Sequence, residues 1–582
     1  MADLTNAQIA EALDELGDLY ELDGQSKHRV LAYRNAAKSI REASGSVCEL
    51  IRAGKVQTLK GVGATLAEKL EALVADGEIP ATRALKETYP EGLLEMTKIP
   101  GLGPRRARQL FDELQLDSVG ALKQAAEAGQ IAGLKGFGAK FEQNMLDAIE
   151  RQAKFGEAGR VRLDIALKTA NVLLEAIRAQ PSCEAVELGG SARRMTETVK
   201  DLDIVAASAD PAALIDAVVS LDLVAGEISG GAKKAHFETQ DGIGVDLRVV
   251  DPENFGNLIQ HFTGSKDHNA ALRTKAVQDG YHVSEYGVEQ ESNGAVHRFR
   301  SEREVYEFLG YEYIPPELRE DRGELEAART GGPGLPELVT LDQIRGDLHM
   351  HTTASDGRGS IEDMAEAAIQ AGYEYVAITD HSASHGFGNA VGPDDLLNQV
   401  ERVREADSKI DGIKILIGSE VNILPDGAPD YEDAVLAELD WVIASVHSSF
   451  AMDEAAMTDR IVRAIEHPLV DAIGHPTGRL ITKRPPYAVD FDRVFDAAAR
   501  TSTLLEINAN PQRRDLSEIN ARAAAAEGVR IVICSDAHHP GGFDVMPYGI
   551  ATARRGWLTA KDVANTEPWD KLAPTLSRAV NS

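Results

Sequence analysis

The chain has 582 residues, enough for about three or four domains of ~150 residues each, and no apolar run approaches the ~18 residues that span a bilayer. Three widely spaced cysteines without a CxxC pair argue against disulfides or a zinc-thiolate framework and fit a cytoplasmic protein. The net charge of −32 argues against nucleic-acid binding by the chain as a whole, but residues 1–155 carry 20 Lys+Arg against 23 Asp+Glu, whereas 340–582 carry 22 against 38.

Residues 1–155 are rich in Ala, Leu, Glu and Lys at helical spacing and predict an all-helical region. The first stretch, MADLTNAQIAEALDEL, predicts an amphipathic helix and lacks the basic start and apolar run of a signal peptide. Short glycine turns interrupt the helices. Three of these turns resemble one another, each with glycine, an apolar residue and glycine before a helix: LKGVGATLAEKL (59–70), IPGLGPRRARQL (99–110) and LKGFGAKFEQNM (134–145).

Such turns are typical of helix-hairpin-helix elements. Glycine lets a DNA backbone approach closely, and the exposed N–H groups of the next helix bind phosphate without reading bases. A single turn is usually only a helix connection, but three copies, one leading into PRRAR (104–108), predict non-specific DNA binding. Because the chain is acidic overall, we expect weak binding to intact duplex and a steep loss with salt. The predicted DNA-contacting glycines are Gly61, Gly63, Gly101, Gly103, Gly136 and Gly138.

From about residue 160 to 314, apolar strand-like runs alternate with helices and predict an α/β or α+β fold. In ELGGSARRMTETVKDLDIVAA (187–207), a Gly-Gly-Ser turn follows one strand, and Asp201 and Asp203 share a face of the next. Asp246 lies on a later strand, in GVDLRVV. Three carboxylates around two Mg²⁺ ions form the arrangement that phosphoryl transfer needs. A lone Asp-x-Asp pair is commonly a solvated surface, but the Gly-Gly-Ser turn at this spacing favours a metal site.

Residues 315–339 are rich in Pro, Gly and charge and predict a linker. Beyond it, short β-branched runs alternate with helices, which predicts a barrel or a parallel sheet. Polar motifs follow the strands, and the carboxyl ends of parallel strands converge on one rim. Imidazole and carboxylate without thiolate suit Zn²⁺, Mn²⁺ or Fe²⁺. The nine candidate ligands are His349, His351, Asp356, His381, Glu420, His447, His475, Asp536 and His538.

The motifs HxH, TDH, GSE, SVH, GHP and SDAH resemble those of the polymerase-and-histidinol-phosphatase (PHP) domain family across essentially all of 340–582. The resemblance implies a distorted (β/α)₇ barrel that holds about three metal ions and hydrolyses phosphoesters. It also implies how the ligands divide: His349, His351, Glu420 and Asp536 around one ion, Glu420, His447 and His475 around a second, and Asp356, His381 and His538 around a third.

Residues 187–314 resemble the palm and thumb of family X DNA polymerases, the DNA polymerase beta family, most clearly in HFTGSKDHNAALRTKAVQDGYHVSEYGV (261–288). The resemblance implies that Asp201, Asp203 and Asp246 hold two Mg²⁺ ions. His261 replaces a tyrosine of the animal enzyme, which leaves dNTP/rNTP discrimination open, and Lys266 replaces an acidic residue and adds a triphosphate contact. The implied contacts are Ser191 and Arg194 with the triphosphate, Phe262, Thr263 and Gly264 with the sugar, Asn269 with the nascent pair, and Arg273 with the template strand.

The stretch KHRVLAYRNAA (27–37), together with GVGATLAEKL, resembles the small lyase domain of the same family. The resemblance implies that His28 and Arg29 contact a 5′-phosphate in a gap. It also implies that Lys69 forms a Schiff base to remove 5′-deoxyribose phosphate. Thr65 stands at the family's second lysine position, so the phosphate pocket is less basic. The alternative for Lys69 is an ordinary exposed helix lysine.

The resemblance covers nearly all of the chain, which is identified as a bacterial family X DNA polymerase with a C-terminal PHP domain. It implies a multidomain α/β protein with an all-α helix-hairpin-helix N-terminal region, an α/β nucleotidyltransferase palm and thumb, and a distorted (β/α)₇ barrel. The expected segments are a lyase-like domain (1–85), a fingers-like domain (86–155), the palm (156–255), the thumb (256–318), a linker (319–342) and the PHP domain (343–582).

The implied activity is filling of short DNA gaps with dNTPs, joined to metal-dependent 3′-5′ exonuclease or phosphoesterase activity that uses Mn²⁺ or Zn²⁺. Abasic-site endonuclease activity is compatible with the same chemistry. The expected partners are gapped or nicked DNA with a 5′-phosphate and no membrane, for a cytoplasmic, nucleoid-associated monomer. Two alternatives stay open: a PHP domain acting on a small phosphate ester, and a non-enzymatic DNA-end scaffold with structural metals. The repeated glycine turns argue against the first, and the intact acidic triad argues against the second.

Overall fold

The computed structural model describes residues 4, 6–41, 43, 47–97, 99, 102–155, 159–384 and 391–576. The chain divides into two compact units. One comprises Met1–Arg160 with Met452–Thr458 and Ala488–Arg493, and the other comprises Val161–Ala451, Asp459–Tyr487 and Val494–Ser582. Within the described residues, no helix is both long and apolar enough to cross a membrane.

The described part of residues 1–160 is helical, as its composition predicts. Buried apolar residues at helical spacing, such as Ile9, Leu13 and Leu16, form its two hydrophobic cores. The helices are α1 (Asn6–Leu22), α2 (Lys27–Arg41), α3 (Val47–Arg52), α4 (Ala64–Asp76), α5 (Pro80–Lys86), α6 (Glu91–Thr97), α7 (Pro104–Leu114), α8 (Val119–Glu127) and α9 (Ala139–Phe155).

The second unit begins with a five-stranded sheet in the order β2-β4-β7-β6-β5. Strands β4 and β7 run parallel at its centre, and their side chains alternate between the two faces. Its elements are β1 (Val161–Arg162), α10 (Leu163–Arg178), β2 (Ala185–Leu188), α11 (Gly190–Arg193), β3 (Thr198–Val199), β4 (Asp201–Ala207), α12 (Pro211–Val219), β5 (Val224–Gly231), β6 (Lys234–Thr239) and β7 (Gly244–Val250).

A smaller α/β region follows, with an antiparallel sheet in the order β10-β9-β8. Its elements are α13 (Phe255–Thr263), α14 (Lys266–Gln278), β8 (Tyr281–Ser284), β9 (Gly287–Gln290), β10 (Ala295–His297), α15 (Glu302–Phe308) and α16 (Glu324–Ala328). The segment 315–339, which its composition predicts to be a linker, is packed instead. Leu318, Leu325 and Leu338 join a hydrophobic core with Tyr306 and Tyr311, so apolar burial outweighs the Pro, Gly and charge content of this segment.

The third region is a parallel seven-stranded sheet in sequence order, β11 to β17, and a bridge between Met350 and Ala537 brings its two edges together. The predicted strand–helix alternation therefore forms a nearly closed barrel. Its elements are β11 (Gly346–Asp347), α17 (Ile361–Gln370), β12 (Tyr375–Ile378), α18 (Pro393–Lys409), β13 (Lys414–Asn422), α19 (Asp433–Leu436), β14 (Trp441–Ser445), α20 (Glu454–Ile465), β15 (Ala472–Ile473), α21 (Phe491–Thr501), β16 (Leu504–Asn508), α22 (Glu518–Ala526), β17 (Ile531–Cys534), α23 (Met546–Arg555) and α24 (Trp569–Leu572).

Candidate functional site

The three carboxylates of the five-stranded sheet are brought together by strand register. Asp203 on β4 pairs with Asp246 on the parallel strand β7, and Asp201 lies two residues before Asp203 on the same strand face. Burial, followed by the negative charges of Asp201 and Asp246, raises the pKa of Asp203 to about 7. Negative charge concentrated in this way suits divalent cations with oxygen ligands, as the sequence predicts.

The Gly-Gly-Ser turn is shaped around Asp203. Gly190 has a φ of +59°, and a Cβ atom there would lie 1.9 Å from Asp203 Oδ2, so only glycine fits. The backbone N–H of Gly189 donates to the carbonyl of Asp203 at 2.7 Å, and Ser191 follows in helix α11. The turn is therefore fixed directly against the acidic cluster.

His236 is a neighbour of this cluster that the sequence analysis did not single out. It lies opposite Asp246 in the β6–β7 register, with its Nδ1 atom 3.5 Å from Asp246 Oδ1. The hydrogen-bonding interaction with His236 lowers the pKa of Asp246, and burial opposes the shift. β6 and β7 are consecutive strands, but the register that sets His236 opposite Asp246 depends on how the connection between them turns, so the Asp-x-Asp motif alone did not reveal this histidine.

Arg194 is held on both sides. Its Nη1 atom donates to the carbonyl of Thr263 at 2.6 Å, and its Nε atom donates to Glu320 Oε1 at 3.1 Å. A Cβ atom on Gly264 would lie 3.1 Å from the Nη1 atom of Arg194, so glycine leaves room for the guanidinium. Its neighbour Arg193 faces elsewhere, with a bidentate pair to the buried Glu302 at 2.6 and 2.8 Å.

The predicted sugar- and base-contacting residues cluster at the junction of helices α13 and α14. Asn269 Nδ2 donates to the carbonyl of His261 at 2.7 Å, and Arg273 Nη2 lies 2.7 Å from His261 Nδ1. Phe262 packs under the guanidinium of Arg248, and Lys266 is exposed at the start of α14. The ring of His261 thus sits beside Asn269 and Arg273, in the place where the resemblance expects a tyrosine.

The barrel collects all nine candidate ligands at one rim. Glu420 lies at their centre: its Oε1 is 2.9 Å from His475 Nε2 and 3.1 Å from His447 Nε2, and its Oε2 is 2.8 Å from His381 Nδ1. Asp536 Oδ1 is 3.2 Å from His351 Nε2 and 3.7 Å from His349 Nε2. Asp356 and His538, 3.4 Å apart, lie on the more exposed side, so solvent reaches the rim there.

Donor atoms within 4.8 Å of one another form three overlapping groups. One unites His349, His351 and Asp536, and another adds His351 to the expected third set, Asp356, His381 and His538. A further group joins His381, Glu420 and His447, so His381 stands where the resemblance placed His475. His475 nevertheless lies beside Glu420, as the distance above shows. The overlap indicates adjacent cation positions that share ligands.

Burial and charge in this cluster fit divalent cations. His349 and His351 are fully buried, and their Nε2 atoms face carboxylate oxygens at 3.2 to 3.7 Å without hydrogen-bonding geometry. Burial opposes the ionisation of Glu420, but the nearby imidazoles of His447, His381 and His349 hold its pKa well below the usual range. Neutral imidazole favours metal ligation, and burial lowers the pKa of His351 to about 4. Divalent cations bound in this cluster would take these imidazole nitrogen and carboxylate oxygen atoms as ligands.

Two of these ligands adopt strained backbone conformations. His475 has a φ of +29° and Asp536 a φ of +56°, values that L-residues rarely adopt. Each lies two positions after the last residue of a barrel strand, so the local backbone turns their side chains toward the centre of the rim.

Supporting residues that sequence reasoning missed surround the ligands. Glu506, inside β16, accepts from His475 N at 2.6 Å with one oxygen, and its other oxygen lies 2.7 Å from His349 Nδ1. Asn508 Nδ2 donates to Asp536 Oδ2 at 3.1 Å, and Arg513 Nε lies 3.5 Å from the same atom. Buried Asp380 accepts from the backbone and hydroxyl groups of residues 352 and 355, which fixes the loop before Asp356. The sequence did contain one sign of Glu506: it is a charged residue within the otherwise apolar strand stretch LLEIN (504–508).

The helical region presents its glycine turns at the surface. Gly63 and Gly103 are the caps of helices α4 and α7, and Gly138 precedes α9. A Cβ atom at any of these three positions would meet no described atom within 4 Å beyond its chain neighbours. Internal packing therefore does not require glycine there, whereas a DNA backbone approaching the helix start would. Gly61 and Gly136 adopt φ values of +86° and +91°, and Gly101 lies outside the described residues.

The lyase-like residues lie on two neighbouring elements of this region. His28 and Arg29 are exposed at the start of α2, where Arg29 stacks on the Tyr20 ring at 4.2 Å and donates to its hydroxyl. Lys69 is half-buried on α4, four residues after Thr65.

Comparison with known families defines the class of this protein. Family models match a helix-hairpin-helix domain over residues 4–79, a SAM-like helix-hairpin-helix tandem over 93–151, a DNA polymerase beta thumb over 258–320 and a PHP domain over 347–510. The chain is therefore a polymerase beta-type enzyme that carries helix-hairpin-helix elements and a PHP domain. This confirms the fold class predicted from the sequence.

Full-length similarity identifies the family. The chain is 38% identical to the DNA polymerase/3′-5′ exonuclease PolX of Bacillus subtilis (strain 168), over 98% of this chain and 99% of the relative. Over the PHP region it is 33% identical to a probable phosphatase of Caldanaerobacter subterraneus subsp. tengcongensis, covering 33% of this chain and 75% of that protein. A probable phosphatase of Thermoanaerobacter sp. (strain X514) is 32% identical over 38% of this chain and 90% of its own length.

The chain belongs to the bacterial PolX family of DNA polymerase/3′-5′ exonucleases, as the sequence motifs predicted. It is a DNA-directed DNA polymerase with a PHP-type phosphoesterase domain, and its substrate is DNA.

Proposed function

We propose that this polymerase fills short gaps in DNA that carries a 5′-phosphate, and that its PHP domain trims 3′ ends that block extension. The observation that carries the proposal is the presence, in one compact unit, of a three-carboxylate cluster and a separate nine-residue imidazole and carboxylate cluster. Two sites suit synthesis and hydrolysis at a 3′ end, because the two reactions have different nucleophiles and leaving groups: the 3′-hydroxyl displaces pyrophosphate in one, and water displaces the terminal group in the other.

In the polymerase site, Asp201, Asp203 and Asp246 would hold two Mg²⁺ ions, which activate the 3′-hydroxyl and stabilise the leaving pyrophosphate. The chain's own residues orient the nucleotide. Ser191, Arg194 and Lys266 would contact the triphosphate, and Phe262, Thr263 and Gly264 would line the sugar pocket. Asn269 would reach the nascent pair, and Arg273 the template strand. The register of Asp203 with Asp246 and the packing of the Gly-Gly-Ser turn on Asp203 support these roles.

In the barrel site, the nine rim residues would hold about three cations, Mn²⁺ or Zn²⁺, that activate water and bind the phosphate being cleaved. Glu420 would be a ligand shared by two of these cations, and the support for this is that its two oxygens face different histidines. The exposed side near Asp356 and His538 would admit the DNA end, and Arg513 would balance the phosphate charge. The same geometry accepts a 3′-phosphate or an abasic-site phosphodiester, and similarity to probable phosphatases supports hydrolysis of phosphomonoesters.

In the helical region, the glycine turns would bind backbone phosphate without base recognition, and His28 and Arg29 would take the 5′-phosphate of a gap. Lys69 would act as the Schiff-base nucleophile of a 5′-deoxyribose-phosphate lyase. We infer that the acidic chain discriminates against intact duplex, since its negative charge opposes binding that lacks a terminus. Equal affinity for intact and one-nucleotide-gapped DNA at about 0.2 M salt would contradict this.

Primer extension tests the proposal directly. The substrates are a one-nucleotide gap with a 5′-phosphate, the same gap with a 5′-hydroxyl, and an open primer-template, each with dNTPs and Mg²⁺. We expect one nucleotide to be added and extension to be most efficient on the phosphorylated gap. A second arm uses a 3′-phosphate primer, which should extend only after the barrel removes the phosphate in the presence of Mn²⁺. If wild type does not extend the gapped primer, the gap-filling assignment is wrong.

A further inference from the structure

The last residue of helix α23, Arg555, belongs to the barrel but reaches the polymerase site. Its Nη1 atom donates to the backbone carbonyl of Arg194 at 2.8 Å and to Glu320 Oε1 at 2.9 Å. Its Nη2 atom donates to Glu518 Oε1, on the barrel helix α22, at 3.0 Å. The side chain is 5% exposed, so these contacts are made away from solvent. One guanidinium therefore joins the barrel to the residue proposed to bind the triphosphate.

Glu320 lies between two arginines. Its Oε1 atom accepts from Arg555 Nη1 and from Arg194 Nε, so one carboxylate oxygen fixes both guanidinium groups. Burial opposes the ionisation of Glu320, but the charges of Arg555 and Arg194 hold its pKa below the usual value. Without Arg555, the carbonyl of Arg194 loses its charged donor and Glu320 loses one of its two arginine partners.

The contacts of Arg194 leave part of its guanidinium for a ligand. Its Nε and Nη1 atoms are committed to Glu320 and Thr263, while Nη2 makes no hydrogen bond to any described residue. Because the guanidinium is planar and rigid, holding two of its nitrogens sets the direction of the third. The position of Nη2 is thus determined by Glu320 and the Thr263 carbonyl together, and Glu320 is in turn held by Arg555.

We propose that Arg555 is a positioning residue of the polymerase reaction, through which the PHP domain sets the orientation of Arg194 and hence the affinity of the polymerase site for the nucleotide triphosphate. This inference rests on the proposed contact of Arg194 with the triphosphate. In this arrangement the PHP domain is a structural part of the polymerase site as well as a separate hydrolytic centre.

The neighbouring residue supplies a matched control. Arg554 lies on the same helix, and its Nε atom donates to Glu317 Oε1 at 2.7 Å while its Nη1 atom donates to the carbonyl of Val339 at 3.2 Å. It therefore binds the same connecting segment, 315–339, and makes no contact with Arg194 or Glu320 among the described residues. Arg554→Met removes a similar charged contact from the same helix without touching the proposed path.

The experiment measures single-nucleotide incorporation on one-nucleotide-gapped DNA with the full-length protein, and separates KM for the dNTP from kcat. We expect Arg555→Met to raise KM about tenfold, the scale of losing one charge-assisted hydrogen bond, with kcat changed less than twofold or so. Arg555→Lys should recover part of the loss, because lysine reaches Glu320 but does not bond the carbonyl and both carboxylates together. Arg554→Met should keep the KM of wild type.

Two further measurements keep the result interpretable. Manganese-dependent hydrolysis of a 3′-phosphate primer and the thermal unfolding midpoint report whether each variant is folded. If Arg555→Met does not fold, Arg555→Lys tests the positioning role instead, and we expect it to raise KM for the dNTP by a smaller factor. A double-mutant cycle with Glu320→Gln should be non-additive, since both substitutions disturb the same path to Arg194.

The outcomes separate this inference from the proposed function. If Arg194→Met raises KM but the folded Arg555 variants match wild type, or if Arg555 and Glu320 substitutions are additive, the positioning role is wrong and the triphosphate contact stands. If Arg194→Met leaves KM unchanged in a folded, hydrolytically active protein, the triphosphate contact itself is wrong, and the positioning role falls with it.

Discussion

The polymerase cluster and the barrel cluster concentrate negative charge in different ways. The first brings three carboxylates together from two adjacent parallel strands, and its Asp246 side chain is 38% exposed. The second gathers six imidazoles and three carboxylates from the carboxyl ends of six of the seven strands, and its His349 and His351 are fully buried. The first site is the more exposed and offers three carboxylates, so cations bound there would draw further ligands from the substrate phosphates. The second offers nine donor side chains, so cations bound there would need fewer ligands from the substrate.

Loss of a carboxylate from the open cluster should produce the largest effect. We expect Asp203→Asn to lower gap-filling incorporation by about a thousandfold or more, the scale of losing a principal charged group in phosphoryl transfer, and to leave 3′-phosphate removal unchanged. Gapped-primer extension and a phosphate-release assay on the same preparation measure both. Asp251→Asn, which alters the exposed pair with Lys233, is the control. Loss of both activities in a folded Asp203→Asn protein would mean that the two sites are not independent.

The reverse result is expected for the enclosed cluster. His351→Ala should lower hydrolysis by about a thousandfold and reduce the metal content of the purified protein. Primer extension should continue at the rate of wild type. Elemental analysis and the phosphate-release assay measure the two effects. His467→Ala changes a barrel histidine that pairs with Asp433, away from the rim, and should leave both unchanged. Full hydrolysis by His351→Ala would remove the barrel rim as the hydrolytic site.

The next largest effect should be a loss of folding stability when a buried carboxylate of the polymerase region is neutralised. Glu302 accepts from Arg193 and Arg319 and from the hydroxyl of Tyr313, and it is almost fully buried. Glu302→Gln leaves buried Arg319 and half-buried Arg193 without their charged partner, so we expect a loss of about 3 kcal/mol on the polymerase side. Differential scanning calorimetry should show a lowered unfolding midpoint for Glu302→Gln in the unit that contains both regions. Glu304→Gln, at an exposed helix cap on the same turn, should cost much less.

The same carboxylate gives a pH dependence with a defined sign. Burial opposes the ionisation of Glu302, but Arg319 and Arg193 lower its pKa from 4.5 to about 2 in the folded protein. A lowered folded-state pKa stabilises the fold above pH 4.5, and that contribution is lost as the pH falls from about 4.5 toward 2. The difference between wild type and Glu302→Gln should therefore shrink over this interval. A constant difference would show that the charge of Glu302 is not what stabilises the region.

The smallest expected effect concerns the support of the barrel ligands. Glu506 orients His349 from behind, so Glu506→Gln should lower hydrolysis and metal affinity by about ten- to a hundredfold, with extension unchanged. Part of the lost hydrolysis should return when Mn²⁺ is raised, because the ligands themselves remain. Competition with a chelator measures the affinity. Glu466→Gln, on an exposed pair with Arg500, is the control, and equal metal affinity of both variants would contradict the positioning role.

Short-range pattern was enough to predict both clusters in outline. Strand alternation placed Asp201 and Asp203 on one face, and the polar motifs after successive strands marked all nine barrel residues before any contact was known. Composition alone did not reveal the packing of residues 315–339, where Pro, Gly and charge predict a linker. Leu318, Leu325 and Leu338 are buried there because the tyrosines they pack against come from a different part of the sequence.

The sequence by itself determined which side chains are candidates for the chemistry, because ligand type and spacing along a strand or turn are local properties. Only the tertiary structure decided which groups support them. His236 faces Asp246, Glu506 orients His349, and Arg555 reaches Arg194 across 361 positions of sequence. Those partners are chosen by strand register and by the docking of the barrel on the polymerase region. Both depend on packing free energy summed over many distant residues, which no single motif records.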